Sequence, residues 1–201
     1  MIHFYLIRHC EAEGQPPEAA LTELGWDQAE DLPAFFANIP LDGVITSSYL
    51  RAQLTAEPLA RAFGLPVRVD DRLVERVLSS EPLPHWRECL RQTYEDENLR
   101  FPGGETSEEA ASRGMACLKE QALSGLKHMA VVTHGNLLSL LLKRISGQFG
   151  YEAWSKLTNP DVYHVSYFED KWMYRGRIWR GDAEAPPAKR LIRAAQPGRD
   201  Q

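Results

Sequence analysis

The sequence has few cysteines, and they are poorly placed for cross-linking or for metal binding. Its 201 residues contain three, Cys10, Cys89 and Cys117, which are odd in number, far apart and without a C-x-x-C pair. This distribution argues against a disulfide framework and against a thiolate zinc site, and it suits a reducing compartment.

Long apolar runs and an excess of positive charge are also missing. The apolar N-terminal stretch has no basic region before it, and no run approaches the roughly 18 apolar residues of a membrane-spanning helix. The formal net charge is -5, and both signs are mixed along the chain, so no basic stripe is offered to nucleic acid or to a membrane. We therefore expect a cytoplasmic protein that binds neither, and any anion site in it must be local.

Apolar segments with a strand pattern alternate with segments of helical period. Strands are predicted at 2–7, 42–48, 66–70 and 127–134, helices at 21–39, 49–64, 107–123 and 136–147, and two further strands within 159–179, joined by a tight turn at 169–171. This order predicts an α/β fold of three layers, in which a mostly parallel central sheet is flanked by helices. We predict one domain over residues 1–182, with residues 76–104 as a cover over its site, and a flexible tail over residues 183–201.

Polar residues and glycine mark the ends of the predicted helices. Thr22 and Ser48 are placed to cap the N-termini of the first two helices, and Gly64 is placed to end the second. Thr106 and Glu109 have the spacing of a capping box at the start of the third helix.

Titratable and cationic residues follow the predicted strands at the points where they end. They are Arg8 and His9 after the first strand, Arg51 in the first turn of the second helix, Glu75 after the third strand and His134 after the fourth. Ligands of open parallel sheets bind beyond the carboxyl ends of the strands, where helix N-termini also point. Two arginines, two histidines and a carboxylate are therefore expected on one rim.

This set of residues suits a phosphoryl group. Arginine offers a planar fork of donors that matches phosphate oxygens, and helix N-terminal amides would add to the positive potential. A neutral histidine can attack phosphorus and hold the phosphoryl group covalently. A carboxylic acid can protonate the leaving oxygen and later deprotonate water, and Glu75 is the candidate for that role.

Six motifs in order resemble the histidine phosphatase superfamily, with its phosphoglycerate mutase-like fold. They are LIRHCEAEGQ, LTELGWDQA, ITSSYLRAQLTAEPLA, LVER, PGGET and VVTHGN, and they span roughly residues 2 to 142. The likeness is to the broad-specificity phosphatase branch. It implies that His9 is the phosphorylated nucleophile, that Arg8 and Arg51 clamp the phosphate, that His134 is a further phosphate ligand and that Glu75 is the proton donor.

The resemblance is incomplete in the loop after the first strand. Cys10 stands where the family usually has glycine, and we interpret it as a small side chain and not as the nucleophile. Ala12 replaces a threonine or serine, while Gln15 stands where asparagine is frequent and is a candidate phosphate donor. Gly135, after His134 in VVTHGN, is implied as a further substrate-binding residue. The loop 14–21 is shorter than in the mutases.

The resemblance and the residues together predict a phosphatase that acts on small phosphorylated metabolites. It would need no metal and no other cofactor, and it would be a monomer or a homodimer. Three alternatives stay open: a cofactor-dependent phosphoglycerate mutase, a phosphoprotein (phosphohistidine) phosphatase and a protein that binds phosphorylated ligands without catalysis.

Residues in the predicted cover are expected to select the leaving group. Arg76, Arg87 and Arg91 are mixed there with acidic and apolar side chains, which suggests an apolar or uncharged leaving group. Whether His85 and Trp86 contact it is open. Three other histidines, at positions 3, 128 and 164, have no ligand spacing and are interpreted as ordinary surface or core residues.

Overall fold

The computed structural model describes residues 1–180, so the predicted tail over 183–201 lies outside the described residues. The strands are β1 (Ile2–Arg8), β2 (Gly43–Thr46), β3 (Val67–Val69), β4 (His128–Thr133), β5 (Asp161–Phe168) and β6 (Lys171–Arg180). The helices are α1 (Glu23–Phe36), α2 (Leu50–Phe63), α3 (Trp86–Glu95), α4 (Ser107–Ala122), α5 (Gly135–Ser146) and α6 (Tyr151–Ser155), and a 3₁₀ turn spans Asp71–Leu73.

The strands form one mixed sheet in the order β3-β2-β4-β1-β5-β6. Every pairing among β1 to β4 is parallel, whereas β5 is antiparallel to both β1 and β6. Glu169 and Asp170 take positive φ angles in the turn between β5 and β6, as that tight turn requires. The predicted α/β fold with a mostly parallel sheet is confirmed.

Each face of the sheet has its own apolar core, because successive side chains of a strand point in opposite directions. In β1, Phe4 and Leu6 belong to one buried cluster, which also includes residues of α4 and α5. Tyr5 and Ile7 belong to the other, together with residues of α1 and α2. Complete burial of a leucine side chain contributes about 1.5–3 kcal/mol, so both layers of helices are held by apolar contact.

Most of the predicted helix ends are confirmed, and one is wrong. The Thr22 hydroxyl accepts from the Gly25 N–H, the Thr106 capping box is present, and Gly64 ends α2 with φ of 64°. Ser48 does not cap α2, because the N-cap is Tyr49, which makes no side-chain capping bond. The polar side chain used at this turn is the preceding one, since the Ser47 hydroxyl accepts from the Tyr49 N–H.

The segment 76–104 lies beside the end of the sheet and contains one helix, α3. A buried arginine at its start fastens it to the rest of the fold. Arg76 Nη1 donates to Thr93 Oγ1 at 2.7 Å and to Ser107 Oγ at 3.1 Å, while its Nε and Nη2 donate to the Glu105 carbonyl. This guanidinium joins α3 to the start of α4, and it holds the cover in place next to Glu75.

Within residues 1–180, no helix combines the length and the apolar character needed to cross a bilayer.

Three histidines that are far apart in the sequence meet on the sheet, away from the strand ends that carry Arg8 and His134. His3 stacks on His128 with ring centroids 4.9 Å apart, and its Nδ1 lies 2.9 Å from Nε2 of His164. Burial lowers the pKa of His3, and burial with the charge of His3 lowers the pKa of His164 to about 4. The contact between His3 and His128 follows from strand register, which places them opposite each other in β1 and β4.

Acid should therefore destabilise the fold partly through His164. The folded protein keeps this ring neutral down to about pH 4, whereas the unfolded chain takes up the proton near the ordinary pKa of 6.5. The unfolded state binds more protons between these values, so stability falls as the pH is lowered through that range. We expect the melting temperature of His164→Gln to drop less between pH 7 and pH 4.5 than that of wild type. The control is His85→Gln, at an exposed histidine whose side chain makes no capping bond; equal drops in all three proteins would contradict the prediction.

Candidate active site

The carboxyl ends of β1 and β4 lie side by side and bring two histidines together. Arg8 is opposite Thr133 in the parallel pairing, and the His9 N–H donates to the Thr133 carbonyl at 2.9 Å. The next residue of each strand end is a histidine, and the ring centroids of His9 and His134 are 5.1 Å apart. His9 and His134 are therefore neighbours on the predicted rim of strand-end residues.

The His9 ring is held in one neutral tautomer. Its Nδ1 lies 2.6 Å from the Cys10 carbonyl, which can only accept, so Nδ1 carries the proton. Arg51 Nε donates to Nε2 at 3.2 Å, so Nε2 presents its lone pair. Burial, together with the charges of Arg51 and Arg8, lowers the pKa of His9 to about 3. A histidine with these bonds is a neutral nucleophile through Nε2 near neutral pH.

Arg51 is buried beside His9 in the first turn of α2. Its side chain is 1% exposed, and its Nη1 donates to the carbonyls of Gln15 and Pro16 at 3.1 and 2.9 Å. The guanidinium also lies over the Tyr49 ring, 4.9 Å from its centroid. Burial lowers the pKa of Arg51, and Glu75 opposes that effect. Gln15 thus orients Arg51 through its backbone, while its exposed side chain lines the cleft beside the site.

Arg8 reaches the site from the end of β1. Its Nη1 donates to the carbonyls of Leu157 and Thr158 at 3.0 and 3.3 Å, and its buried Nε has no hydrogen-bond partner among residues 1–180. Gly135 lets the guanidinium approach the start of α5, because a Cβ at this position would lie 3.1 Å from Arg8 Nε. A side chain at Gly135 would press on the arginine.

His134 is the N-cap residue of α5 and is completely buried. Its Nε2 is hydrogen-bonded to Ser47 Oγ at 2.7 Å, and the Tyr49 ring meets it edge on. Its buried Nδ1 has no partner within the described part of the chain. Burial lowers the pKa of His134, and nearby His9 lowers it further. This ring is a neutral, oriented polar group next to His9.

The Glu75 carboxylate lies at the N-terminus of α5. One oxygen accepts from the Arg76 and Leu137 N–H groups at 2.9 Å each, and the other accepts from the Asn136 N–H at 3.0 Å. A helix N-terminus favours negative charge, so this carboxylate is held in place by helix amides. The expectation that helix amides are available to a phosphate is therefore wrong for Asn136 and Leu137, because their N–H groups serve Glu75.

A cleft of about 750 Å³ lies beside Arg51 and Glu75. Gln15, Tyr49, Arg51 and Glu75 form one side of it. The cover forms the other side with apolar Val77, Leu78 and Leu83, polar Ser79 and Ser80, and Trp86. Residues of the segment 76–104 thus line the cleft, and Trp86 is part of its wall.

Cys10 and Glu11 have structural roles and are not among the groups gathered around His9. Cys10 is completely buried among apolar side chains, and burial raises the pKa of its thiol to about 12. A buried thiol with this pKa carries little thiolate, which is the reactive form. The Glu11 carboxylate accepts from the Thr22 hydroxyl at 2.9 Å and so orients the start of α1.

Three of the four arginines in the segment 76–104 were expected to influence the leaving group, and they have different surroundings. The Arg76 guanidinium donates hydrogen bonds to Thr93, Ser107 and the Glu105 carbonyl, as described above. Arg91 lies over the Tyr151 ring at 5.9 Å and lines a cavity away from Glu75. Arg87 lies over the Trp86 ring at 5.3 Å from its centroid.

Two residues at the start of β5 were not identified from the sequence. Asn159 Nδ2 donates to the His9 carbonyl at 2.6 Å. The completely buried Asp161 accepts from the Thr158 N–H at 3.1 Å and pairs with Arg177, whose Nε donates at 2.6 Å. The segment 157–161 thus holds both Arg8 and His9. The available signal was the polar N-P-D turn directly before an apolar strand.

Comparisons of this chain with known proteins agree on one family. The model of the histidine phosphatase superfamily (branch 1) matches residues 4–178. The curated protein named probable phosphoglycerate mutase GpmB from Erwinia tasmaniensis is 31% identical over 201 residues, covering 89% of this chain and 91% of its own. The GpmB protein of Yersinia pestis is 30% identical over 197 residues, with the same coverage.

Solved structures resemble the chain in fold. A mycobacterial glucosyl-3-phosphoglycerate phosphatase, solved with inorganic phosphate, superposes with a TM-score of 0.75 at 23% identity, covering 92% of this chain and 100% of that one. The α-ribazole phosphatase of Shigella flexneri superposes with a TM-score of 0.69 at 22% identity, covering 88% of this chain and 96% of that one.

Removing the charge of Asp161 should impair the site from a distance. Asp161→Asn keeps the size of the side chain but breaks the buried pair with Arg177, which loosens the segment that holds Arg8 and His9. Small displacements of positioning groups cost up to about a hundredfold in rate, so we expect kcat/KM for 4-nitrophenyl phosphate to fall at least about tenfold. Asp42→Asn is the matched control, because Asp42 accepts from the Lys127 and His128 N–H groups at the opposite end of β4. Equal activity in the two variants would show that Asp161 has no positioning role.

Proposed function

The chain belongs to the histidine phosphatase superfamily, branch 1, and we propose that it hydrolyses small phosphomonoesters through a covalent phosphohistidine at His9. The observation that carries this proposal is the fixed tautomer of His9. Its proton is on Nδ1, bonded to the Cys10 carbonyl, and its Nε2 lone pair faces Arg51. This arrangement supplies a nucleophile without a preceding deprotonation.

The first step transfers the phosphoryl group to the enzyme. Arg8, Arg51 and His134 bind its equatorial oxygens and stabilise the charge of the transition state. Nε2 of His9 gives up its hydrogen bond from Arg51 Nε and attacks phosphorus while the ester P–O bond breaks. Glu75, in its protonated form, gives a proton to the leaving oxygen, so the alcohol departs neutral.

The second step releases phosphate. Glu75, now a carboxylate, takes a proton from a water molecule as the water oxygen attacks phosphorus. The N–P bond breaks, inorganic phosphate leaves, and both His9 and Glu75 return to their starting protonation states. The amides of α5 keep the carboxyl group in position through both steps.

Positive charge in this mechanism comes from the two arginines, so no step needs a metal ion. The guanidinium forks match phosphate oxygens in geometry, and their burial strengthens the attraction. We therefore propose metal-independent catalysis, with no other cofactor.

A second candidate is phosphoglycerate mutase activity, which the names of the GpmB relatives favour. A mutase must hold a second phosphate or a carboxylate while it turns over, and this requires further cations near the site. Arg76 lines the cleft, but its guanidinium is occupied by protein groups, and Arg91 lies elsewhere. Of the three arginines, Arg87 is left as one further cation near Arg8, and the short loop 14–21 adds none, so these charges favour a phosphatase.

His9→Ala should abolish turnover, because no other group in the described residues is placed to hold the phosphoryl group at this position. Wild type that is denatured rapidly during turnover should carry a phosphoryl adduct that is stable to base and labile to acid, located by mass spectrometry of peptides. An adduct on Cys10, or full activity in the variant, would overturn the assignment of the nucleophile.

Purified protein should release phosphate from small phosphomonoesters faster than it isomerises phosphoglycerate. One assay supplies 3-phosphoglycerate with catalytic bisphosphoglycerate, and the other supplies a panel of aryl and sugar phosphates, both with and without a chelator. We expect phosphate release that survives exhaustive chelation. Isomerisation faster than release from every panel member would identify a mutase, and activity that a divalent ion restores after chelation would refute the metal-independent mechanism.

A further inference from the structure

A second recess, of about 340 Å³, opens on the other side of Trp86 from the cleft. Trp86 and Arg87 of the cover, Tyr151 and Trp154 of α6, and Arg8 all line it. We call it the aromatic recess. Because Arg8 is one of the proposed phosphate ligands, a group bound to the transferring phosphate can extend into this space.

Its walls are mainly aromatic. Trp86 and Trp154 meet edge to face with ring centroids 6.1 Å apart, and Trp154 contacts Tyr151 at 5.3 Å. Trp86 is nevertheless 45% exposed, so much of its surface is free for contact with a ligand. Aromatic rings bind best to other rings in offset or edge-on geometry.

The charges of the aromatic recess are positive. Arg8 and Arg87 line it, and none of its described lining residues is acidic. The cleft differs, since Glu75 and Glu81 line it together with Arg51 and Arg76. An anionic substituent on a leaving group would therefore be attracted more strongly to the aromatic recess than to the cleft.

We propose that the aromatic recess binds the leaving group of the substrate, and that this group is an aromatic ring with an anionic substituent. The inference rests on the proposed function, because it takes the phosphate to lie at Arg8. An apolar cavity of about 150 Å³ holds benzene, so the volume here accommodates a substituted ring. The ring agrees with the apolar leaving group expected from the sequence, and the anionic substituent revises the expectation that it is uncharged.

The test of the ring compares benzyl phosphate with cyclohexylmethyl phosphate. Both release a primary alcohol of similar shape, so the comparison isolates the aromatic contact. We expect wild type to prefer the benzyl ester about fivefold in kcat/KM. Trp154→Leu should remove the preference, because Trp154 lines this recess and not the cleft.

Two further variants make the test specific. Trp26→Leu changes an exposed tryptophan on α1 that lines neither space, and it should keep the full preference. Leu83→Ala changes the wall of the cleft. A preference that survives Trp154→Leu but is lost in Leu83→Ala would place the ring in the cleft and overturn the proposal.

The test of the charge uses 4-carboxybenzyl phosphate. We expect wild type to prefer it to benzyl phosphate, and Arg87→Gln to lose that preference by about fivefold while still favouring benzyl over cyclohexylmethyl phosphate. Equal preference in wild type and Arg87→Gln would refute the role of Arg87 and with it the anionic substituent.

Calorimetric titration with benzylphosphonate and cyclohexylmethylphosphonate separates this inference from the proposed function, since neither phosphonate can be hydrolysed. If no ester is hydrolysed but benzylphosphonate binds more tightly in a way that depends on Trp154, the phosphatase assignment fails and the aromatic recess stands as a binding site. If esters are hydrolysed and neither kinetics nor binding favours the ring, the phosphatase assignment stands and the aromatic recess is refuted.

Discussion

The parallel pairing of β1 with β4 is the constraint on which the site depends. It aligns Arg8 with Thr133, so the next residue of each chain segment, His9 and His134, emerges at the same edge. The backbone bond from His9 to the Thr133 carbonyl continues the ladder by one residue and fixes where the ring begins. A slip of one residue would turn every side chain of β1 to the opposite face, and both cores would be lost.

Burial then decides the chemical state of the groups at this edge. Low polarity disfavours charge on the histidines, and each neighbouring arginine disfavours it further, so His9 stays neutral. The arginines remain cationic because nearby carboxylates, including Glu75, and several carbonyl acceptors compensate for their burial. The same environment thus keeps His9 neutral and leaves Arg8 and Arg51 as cations, as the proposed mechanism requires.

Two amides at the N-terminus of α5 serve the protein itself. The amides of Asn136 and Leu137 hold Glu75, which places a carboxyl group within the field of two arginines without an ion pair to either in the described residues. Arg76 connects this carboxylate to the cover, so the acid and the wall of the cleft are parts of one hydrogen-bonded unit. Changes in the cover would reach Glu75 through that unit.

The sequence by itself determined the fold class, most helix ends and the residues that gather at the strand ends, because strand periodicity, caps and the direction of parallel strands are local or general rules. Only the tertiary structure decided the rest. The Arg51 bond to His9, the use of helix amides by Glu75 and the Asn159 bond to His9 join residues between 42 and 150 positions apart in the sequence. The histidine stack at His3 and the aromatic recess depend likewise on strand register and on the docking of α3 against α6. Such contacts follow from packing in three dimensions, which periodicity along one chain segment does not encode.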